Sequence, residues 1–84
     1  MYYTYVLKSE KDGKLYVGYT QDLQNRFAQH QSGLVDATKY RLPLNLVYYE
    51  ACLIKESAIA REKQLKTGFG RKYLKNRINY SGIV

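Results

Sequence analysis

The sequence of 84 residues has no tryptophan, one cysteine, one histidine, one proline and one methionine. With Cys52 alone, no disulfide can close within the chain, and a lone histidine beside a lone cysteine cannot build a zinc site, so a reducing, cytoplasmic setting is expected. No apolar run approaches the ~18 to 20 residues needed to cross a bilayer. Tyr2–Leu7 runs directly into Lys8, Glu10 and Lys11, without the apolar stretch and small-residue cleavage site of a secretory leader. Acids are scarce as well: 7 Asp and Glu stand against 14 Lys and Arg, a net charge of +7, which favours a polyanionic partner. Phosphate-cradling Gly-x-x-x-x-Gly-Lys loops, dinucleotide glycine fingerprints, His-Glu-x-x-His and Gly-x-Ser-x-Gly are all missing, which removes several common chemistries.

What is present is an ordinary globular composition, 45% hydrophobic and 25% charged, with ten tyrosines supplying most of the aromatic content. A chain of this length makes one small domain, expected to span residues 1–84. Tyr2–Lys8 and Lys14–Thr20 are rich in aromatic and β-branched residues and predict two strands, joined by a turn that ends in Asp12-Gly13, a hairpin signal. An even-numbered loop places Tyr5 and Tyr16 on one face of the sheet, and that arrangement is expected. Thr20 as N-cap, Asp22 in the first turn and Gly33 as a left-handed stop predict a helix over Gln21–Ser32, with Leu23 and Phe27 as its apolar stripe. A loop over Leu34–Pro43 leads to a third strand at Leu44–Ala51. Lys55–Lys66 reads as a second helix, Thr67–Gly70 as a break, and Arg71–Ile78 as a short basic third helix. The fold class is therefore α+β: a three-stranded antiparallel sheet flanked by helices, in the order ββαβαα.

Charge concentrates at one end. Residues 1–50 hold six Lys and Arg against five acids, whereas residues 51–84 hold eight against two. Beyond Glu62 the basic residues Lys63, Lys66, Arg71, Lys72, Lys75 and Arg77 are joined by no acid. A solvated helix face normally mixes signs, so this stretch is expected to contact phosphate.

Five side chains stand out for chemistry. On the second helix Ile54, Ala58, Glu62 and Leu65 fall on one stripe, which sets a carboxylate among residues that should face the core; pairing with Arg61 or Arg26, solvent at a helix edge, or a bound metal would each account for it. Arg26 and His30 lie four apart on the first helix, where a guanidinium fork matches phosphate and an imidazole can exchange protons, though such a pair also suits a plain surface. Tyr5 and Tyr16 sit in adjacent strands; packing is the ordinary role of a strand tyrosine, and a phenol becomes a useful base only beside a cation. Gly18 in mid-strand suggests a bulge or a close approach. Tyr2, Tyr3, Tyr19, Tyr40, Tyr48, Tyr49, Tyr73 and Tyr80 are expected to pack or stack, and Cys52 to be a buried, inert thiol.

Tyr3-Thr4-Tyr5 and Tyr16-Val17-Gly18 resemble the two halves of the GIY-YIG endonuclease signature. The likeness continues through Gly18-Tyr19-Thr20, Leu23–His30 and Ala60–Lys66, in the family's order, and spans roughly residues 2–78. Among subfamilies it is most similar to small stand-alone bacterial proteins related to the catalytic N-terminal domain of the excinuclease nicking subunit. The resemblance implies metal-dependent hydrolysis of DNA phosphodiesters, in DNA repair or processing, using a single Mg²⁺ or Mn²⁺ ion. Carried over by position, Glu62 would bind the ion, Arg26 would steady charge on the scissile phosphate, Tyr5 and Tyr16 would position or deprotonate the attacking water, and His30 would assist as a base. Asn76 lies near a position where some relatives carry an assisting asparagine. The first half reads Tyr-Thr-Tyr in place of Gly-Ile-Tyr, and Tyr19 stands where some relatives have a lysine. Larger members carry a second, targeting domain, so a targeting protein partner is one expectation here. A nucleic-acid-binding or adaptor module of low turnover on the same fold is the alternative.

Overall fold

The computed structural model describes residues 1–79. Strands β1 (Tyr2–Ser9) and β2 (Leu15–Thr20) are followed by helix α1 (Leu23–Gln31), strand β3 (Leu44–Cys52), and helices α2 (Lys55–Leu65) and α3 (Gly68–Asn79). The order ββαβαα and the antiparallel sheet agree with the expected α+β class. The first strand is central, in the order β2-β1-β3. Covered on both faces, it is buried continuously from Thr4 to Leu7, where an outer strand with one wet face would alternate.

Each face of the sheet has its own packing layer. On one, Tyr5, Leu7 and Leu44 form a buried cluster against which Leu23 and Phe27 of α1 pack, as their i, i+4 spacing predicts. On the other, Val6 and Val17 meet Leu65 of α2 and Leu74 of α3. Thr4 fixes the position of α2 by donating its hydroxyl to the Ala58 carbonyl at 2.9 Å, a buried bond between central strand and helix. Gln31, the last residue of α1, accepts from the Leu44 amide and donates to the Leu44 carbonyl, which anchors the start of β3. In β3 one extra residue, Val47, falls between the partners of Val6 and Leu7 and makes a β-bulge.

Several local expectations change. The N-cap of α1 is Asp22, whose side chain accepts from the Asn25 amide at 3.1 Å; Thr20 instead bonds the Asp22 backbone two residues on, forming the turn before the helix. Ile54, expected on the core stripe of α2, is its N-cap and is exposed. Cys52 closes β3 half-buried, its thiol donating to the Ile54 carbonyl. Tyr40 is exposed and stacks on no other ring, contrary to expectation; Tyr49 is exposed too but meets the Tyr3 ring edge-on, and Tyr80 lies outside the described residues. Gly68 and Gly70 do not break the chain away from helix but form the first turn of α3.

Gly70 explains that last difference. A Cβ at this position would lie 2.2 Å from the Leu65 carbonyl oxygen, so the first turn of α3 rests directly on the last turn of α2. Gly70→Ala is therefore expected to lower stability by about 1–3 kcal/mol through overpacking, even though alanine is the better helix former by ~1 kcal/mol. Urea denaturation of the variant checks this; a gain in stability would contradict the contact.

Candidate active site

Strand pairing decides whether the site can exist. Tyr5 pairs with Gly18 and Leu7 with Tyr16, so Tyr5 and Tyr16 point to the same face, with ring centroids 6.3 Å apart. Gly18 is the reason the first phenol fits. A Cβ there would stand 2.7 Å from Tyr5 Oη and 2.8 Å from its Cζ. The mid-strand glycine thus marks a close approach, by a side chain of the neighbouring strand; the bulge lies elsewhere, in β3.

The first helix lays His30 against both tyrosines, at 5.7 Å from the Tyr5 ring and 5.2 Å from the Tyr16 ring, each edge-on. The imidazole is wholly buried. Its Nε2 is 2.8 Å from Tyr5 Oη and its Nδ1 is 2.8 Å from Thr38 Oγ1, so both nitrogens have hydroxyl partners. Burial, and then the positive charge of Arg26, push its pKa down to about 4. At neutral pH His30 is a neutral group, held between two hydroxyls. Burial also raises the pKa of Tyr5; a hydrogen bond with Arg26 acts in the opposite direction, while the neighbouring Tyr16 and the negative charge of Glu62 add to the rise.

Arg26 is half-buried and donates through Nη1 to Gln29 Oε1 at 2.9 Å. This aims the guanidinium along the wall of a cleft of about 540 Å³ lined also by Tyr19, Thr20, Asn25 and Lys55. The one acid on that wall, Asp22, is engaged in capping α1. Anionic ligands are the natural occupants of such a cleft.

Glu62 comes from α2, in the layer on the other face of the sheet. Its partner is Lys66, one turn on, at 2.6 Å, and not Arg61 or Arg26. The carboxylate side chain is 18% exposed and the lysine 50% exposed, so the pair sits at the protein's rim and the lysine can swing into solvent. Arg61 is engaged elsewhere, in a bidentate bond to Glu50 of β3 that holds the Glu50 pKa low against the opposing effect of burial. Among the described residues there is no cluster of three or more His, Cys, Asp or Glu side chains fit to hold a metal. A single rim carboxylate still suits a hard cation that takes the rest of its shell from water and substrate phosphate, as Mg²⁺ commonly does. Asn76 is exposed on α3.

The six basic residues beyond Glu62 are all exposed, but they do not form one patch. Lys66 and Arg71 line a groove with Lys14 over a floor of Leu15, Val17, Leu65 and Leu74, and Arg71 and Lys75 continue it beside Lys8. Arg77 is turned to the far side of α3, where it and Arg61 flank the Tyr73 ring at 5.1 and 4.8 Å. Lys8, Lys14 and Lys55 escaped sequence reasoning because each sits outside the C-terminal charge run. Thr38 escaped it because nothing in a loop sequence marks which hydroxyl a distant histidine will meet.

Known proteins give the same outline. The sequence profile of the GIY-YIG catalytic domain matches residues 1–79. A UPF0213 protein of Staphylococcus saprophyticus is 41% identical over 75 residues, covering 88% of this chain and 90% of the relative. A UPF0213 protein of Streptococcus pyogenes serotype M5 is 46% identical over 65 residues, or 76% and 70% of the two chains. Among solved structures, the solution NMR structure of a UPF0213 protein of Bacillus halodurans superposes with a TM-score of 0.55 at 35% identity, covering 88% of this chain and 82% of that one. No helix among the described residues is long and apolar enough to cross a membrane.

The buried imidazole gives stability a pH dependence. The unfolded chain takes up this proton near pH 6.5 and the folded chain only near pH 4, so stability falls as pH drops through that window. The loss from this one group reaches up to about 3 kcal/mol. Urea unfolding at intervals between pH 7.5 and 4 measures it, and His30→Gln should flatten the dependence. The same slope in that variant would assign the acid sensitivity to other groups.

Proposed function

Since the chain belongs to the GIY-YIG family, a nuclease family, we propose that it is an endonuclease that hydrolyses DNA phosphodiester bonds with the help of a divalent metal ion. The observation that carries this reading is the meeting of Tyr5, Tyr16, Arg26 and His30 beside a polar cleft, with the charge of Glu62 near enough to act on the Tyr5 phenol. Arg26 binds the non-bridging oxygens of the scissile phosphate, where its fixed charge meets the charge that grows during attack. Tyr5 and Tyr16 orient the attacking water or take its proton. Glu62 would hold the Mg²⁺ or Mn²⁺ ion once Lys66 moves aside, and the ion when bound supplies Lewis-acid polarisation of the phosphoryl group.

The basic groove between the hairpin and the last two helices accounts for the DNA backbone. Lys66 stands beside Glu62 and also on the groove wall, so a strand with one phosphate at the reacting centre continues naturally past Lys14, Arg71 and Lys75. The ion pair that occupies Glu62 favours a second reading, a DNA-binding module of little or no turnover.

Incubation with branched, nicked and plain duplex DNA separates the two. With Mg²⁺ or Mn²⁺ the protein is expected to make nicks that vanish on chelation, and Glu62→Ala should slow them by roughly 100-fold or more. Retained binding without cleavage on every substrate would leave only the binding module. Affinity should also fall steeply with salt, and replacing Arg71 and Lys75 by alanine should lower the slope of log K against log salt by about one per residue. Unchanged slopes in both variants would remove the groove from the DNA path.

A further inference from the structure

On the nuclease reading above, we infer that the far flank of α3, with Phe69 at its head, is a second DNA surface that takes an unpaired strand: a base stacks on the Phe69 ring while Lys72 and Arg77 meet neighbouring phosphates. The substrate class this adds is duplex DNA with a single-stranded arm, in preference to plain duplex. Helical spacing is the first support. Phe69, Lys72, Tyr73, Asn76 and Arg77 fall at i, i+3, i+4, i+7 and i+8, on one stripe of α3. Arg71 and Lys75 lie on the opposite flank, in the groove already described. A stripe of that spacing is usually the apolar one that a helix buries. Here Gly70 and Leu74 take the buried side; Tyr73 is half-buried, and the other four members of the stripe stand in solvent.

Phe69 is the unusual member, since it is 57% exposed. Its ring is not loose. It stacks on Tyr73, with centroids 6.2 Å apart and planes inclined by 27°. Tyr73 is pinned in turn, by a hydroxyl contact of 3.1 Å with Tyr48 and by the guanidinium groups of Arg61 and Arg77 over its ring. A ring backed in this way offers an oriented π-face to solvent. Every nucleobase has a matching face, so stacking there needs no particular sequence.

Charge selects the occupant. No acid lies on α3, and Lys72 and Arg77 make no ion pair among the described residues. Glu50, whose charge reaches Arg77, is already held by the bidentate bond from Arg61. The face is therefore both aromatic and positive. A duplex keeps its bases stacked inside and would use the cations while leaving the ring idle, whereas an unpaired strand presents phosphates and open base faces together. An anionic membrane matches the charge, but one ring beside two cations lacks the broad apolar face that sits in a bilayer interface. A second copy of the chain would set like charges against each other.

The test needs no cleavage and is run with chelator present. Because the chain has no tryptophan, Phe69→Trp places a single indole fluorophore on this face. Its emission is expected to be quenched as a thymidine-only oligonucleotide saturates the protein, and to stay unchanged at saturation with a blunt duplex of the same length, binding being followed by anisotropy of labelled DNA. Phe69→Ala and Phe69→Leu should each weaken single-strand binding by roughly 5- to 150-fold and leave duplex affinity unchanged, which also shows that the variants fold. No binding of the single strand, saturation without quenching, equal quenching by the duplex, or full single-strand affinity in the alanine variant each overturns the inference. So does a response to phosphatidylglycerol vesicles with none to the single strand. Should the wild-type protein cleave no DNA, the nuclease reading fails by itself, and the fluorescence still decides whether this face holds an unpaired strand.

Discussion

A neutral imidazole without access to water must find both of its hydrogen-bond partners inside the protein, and the rest of this structure is arranged around that requirement. His30 is satisfied by Tyr5 from the central strand and by Thr38 from the loop ahead of β3, so one side chain ties together α1, the sheet and the longest connection. The surrounding features serve that line. Leu23 and Phe27 seat the helix, Gln31 fastens its end to β3, and Gly18 leaves the space into which the Tyr5 phenol extends. Removing any of them would loosen a buried polar group whose bonds cannot be replaced by solvent.

The two packing layers divide the work of the proposed site. The layer with α1 contributes the rigid, desolvated part: Tyr5, Tyr16 and His30, with Arg26 at its margin. The layer with α2 and α3 contributes the exchangeable part, a rim carboxylate on a displaceable lysine and a set of exposed cations. Groups that must keep one geometry are buried, and groups that must meet water, metal or phosphate stand at the surface. The third charged assembly, Glu50 with Arg61, Tyr48 and Tyr73, belongs to neither; its bidentate bond and aromatic contacts join β3 to both C-terminal helices.

What could be read from the sequence was what local rules govern. Strand composition, the Asp12-Gly13 turn and even-numbered pairing placed Tyr5 and Tyr16 together, and i, i+4 spacing put Arg26 beside His30. Boundaries shifted where two residues competed for one role, as when Asp22 capped α1 in place of Thr20. Gly68 and Gly70 read as a break because glycine weakens an isolated helix, whereas in the fold a bare backbone is what lets two helices touch. The burial of His30 was hidden, since a polar side chain on an amphipathic helix looks the same whether it faces water or a tyrosine. Its second partner was hidden further still, being eight residues away in a segment without periodicity.

The contact at Gly70 has a consequence beyond stability. It joins α2 to α3 through main-chain atoms alone, and main chain has no rotamers with which to adjust. Glu62 lies on one arm of that corner and Arg71 and Lys75 on the other, so the interval between them is set like the gap of a caliper clamped at its joint. On the proposed reading, that interval fixes how many nucleotides separate the phosphate being cut from the phosphates being held. The length of nucleic acid that the domain measures would then be written in the absence of a side chain.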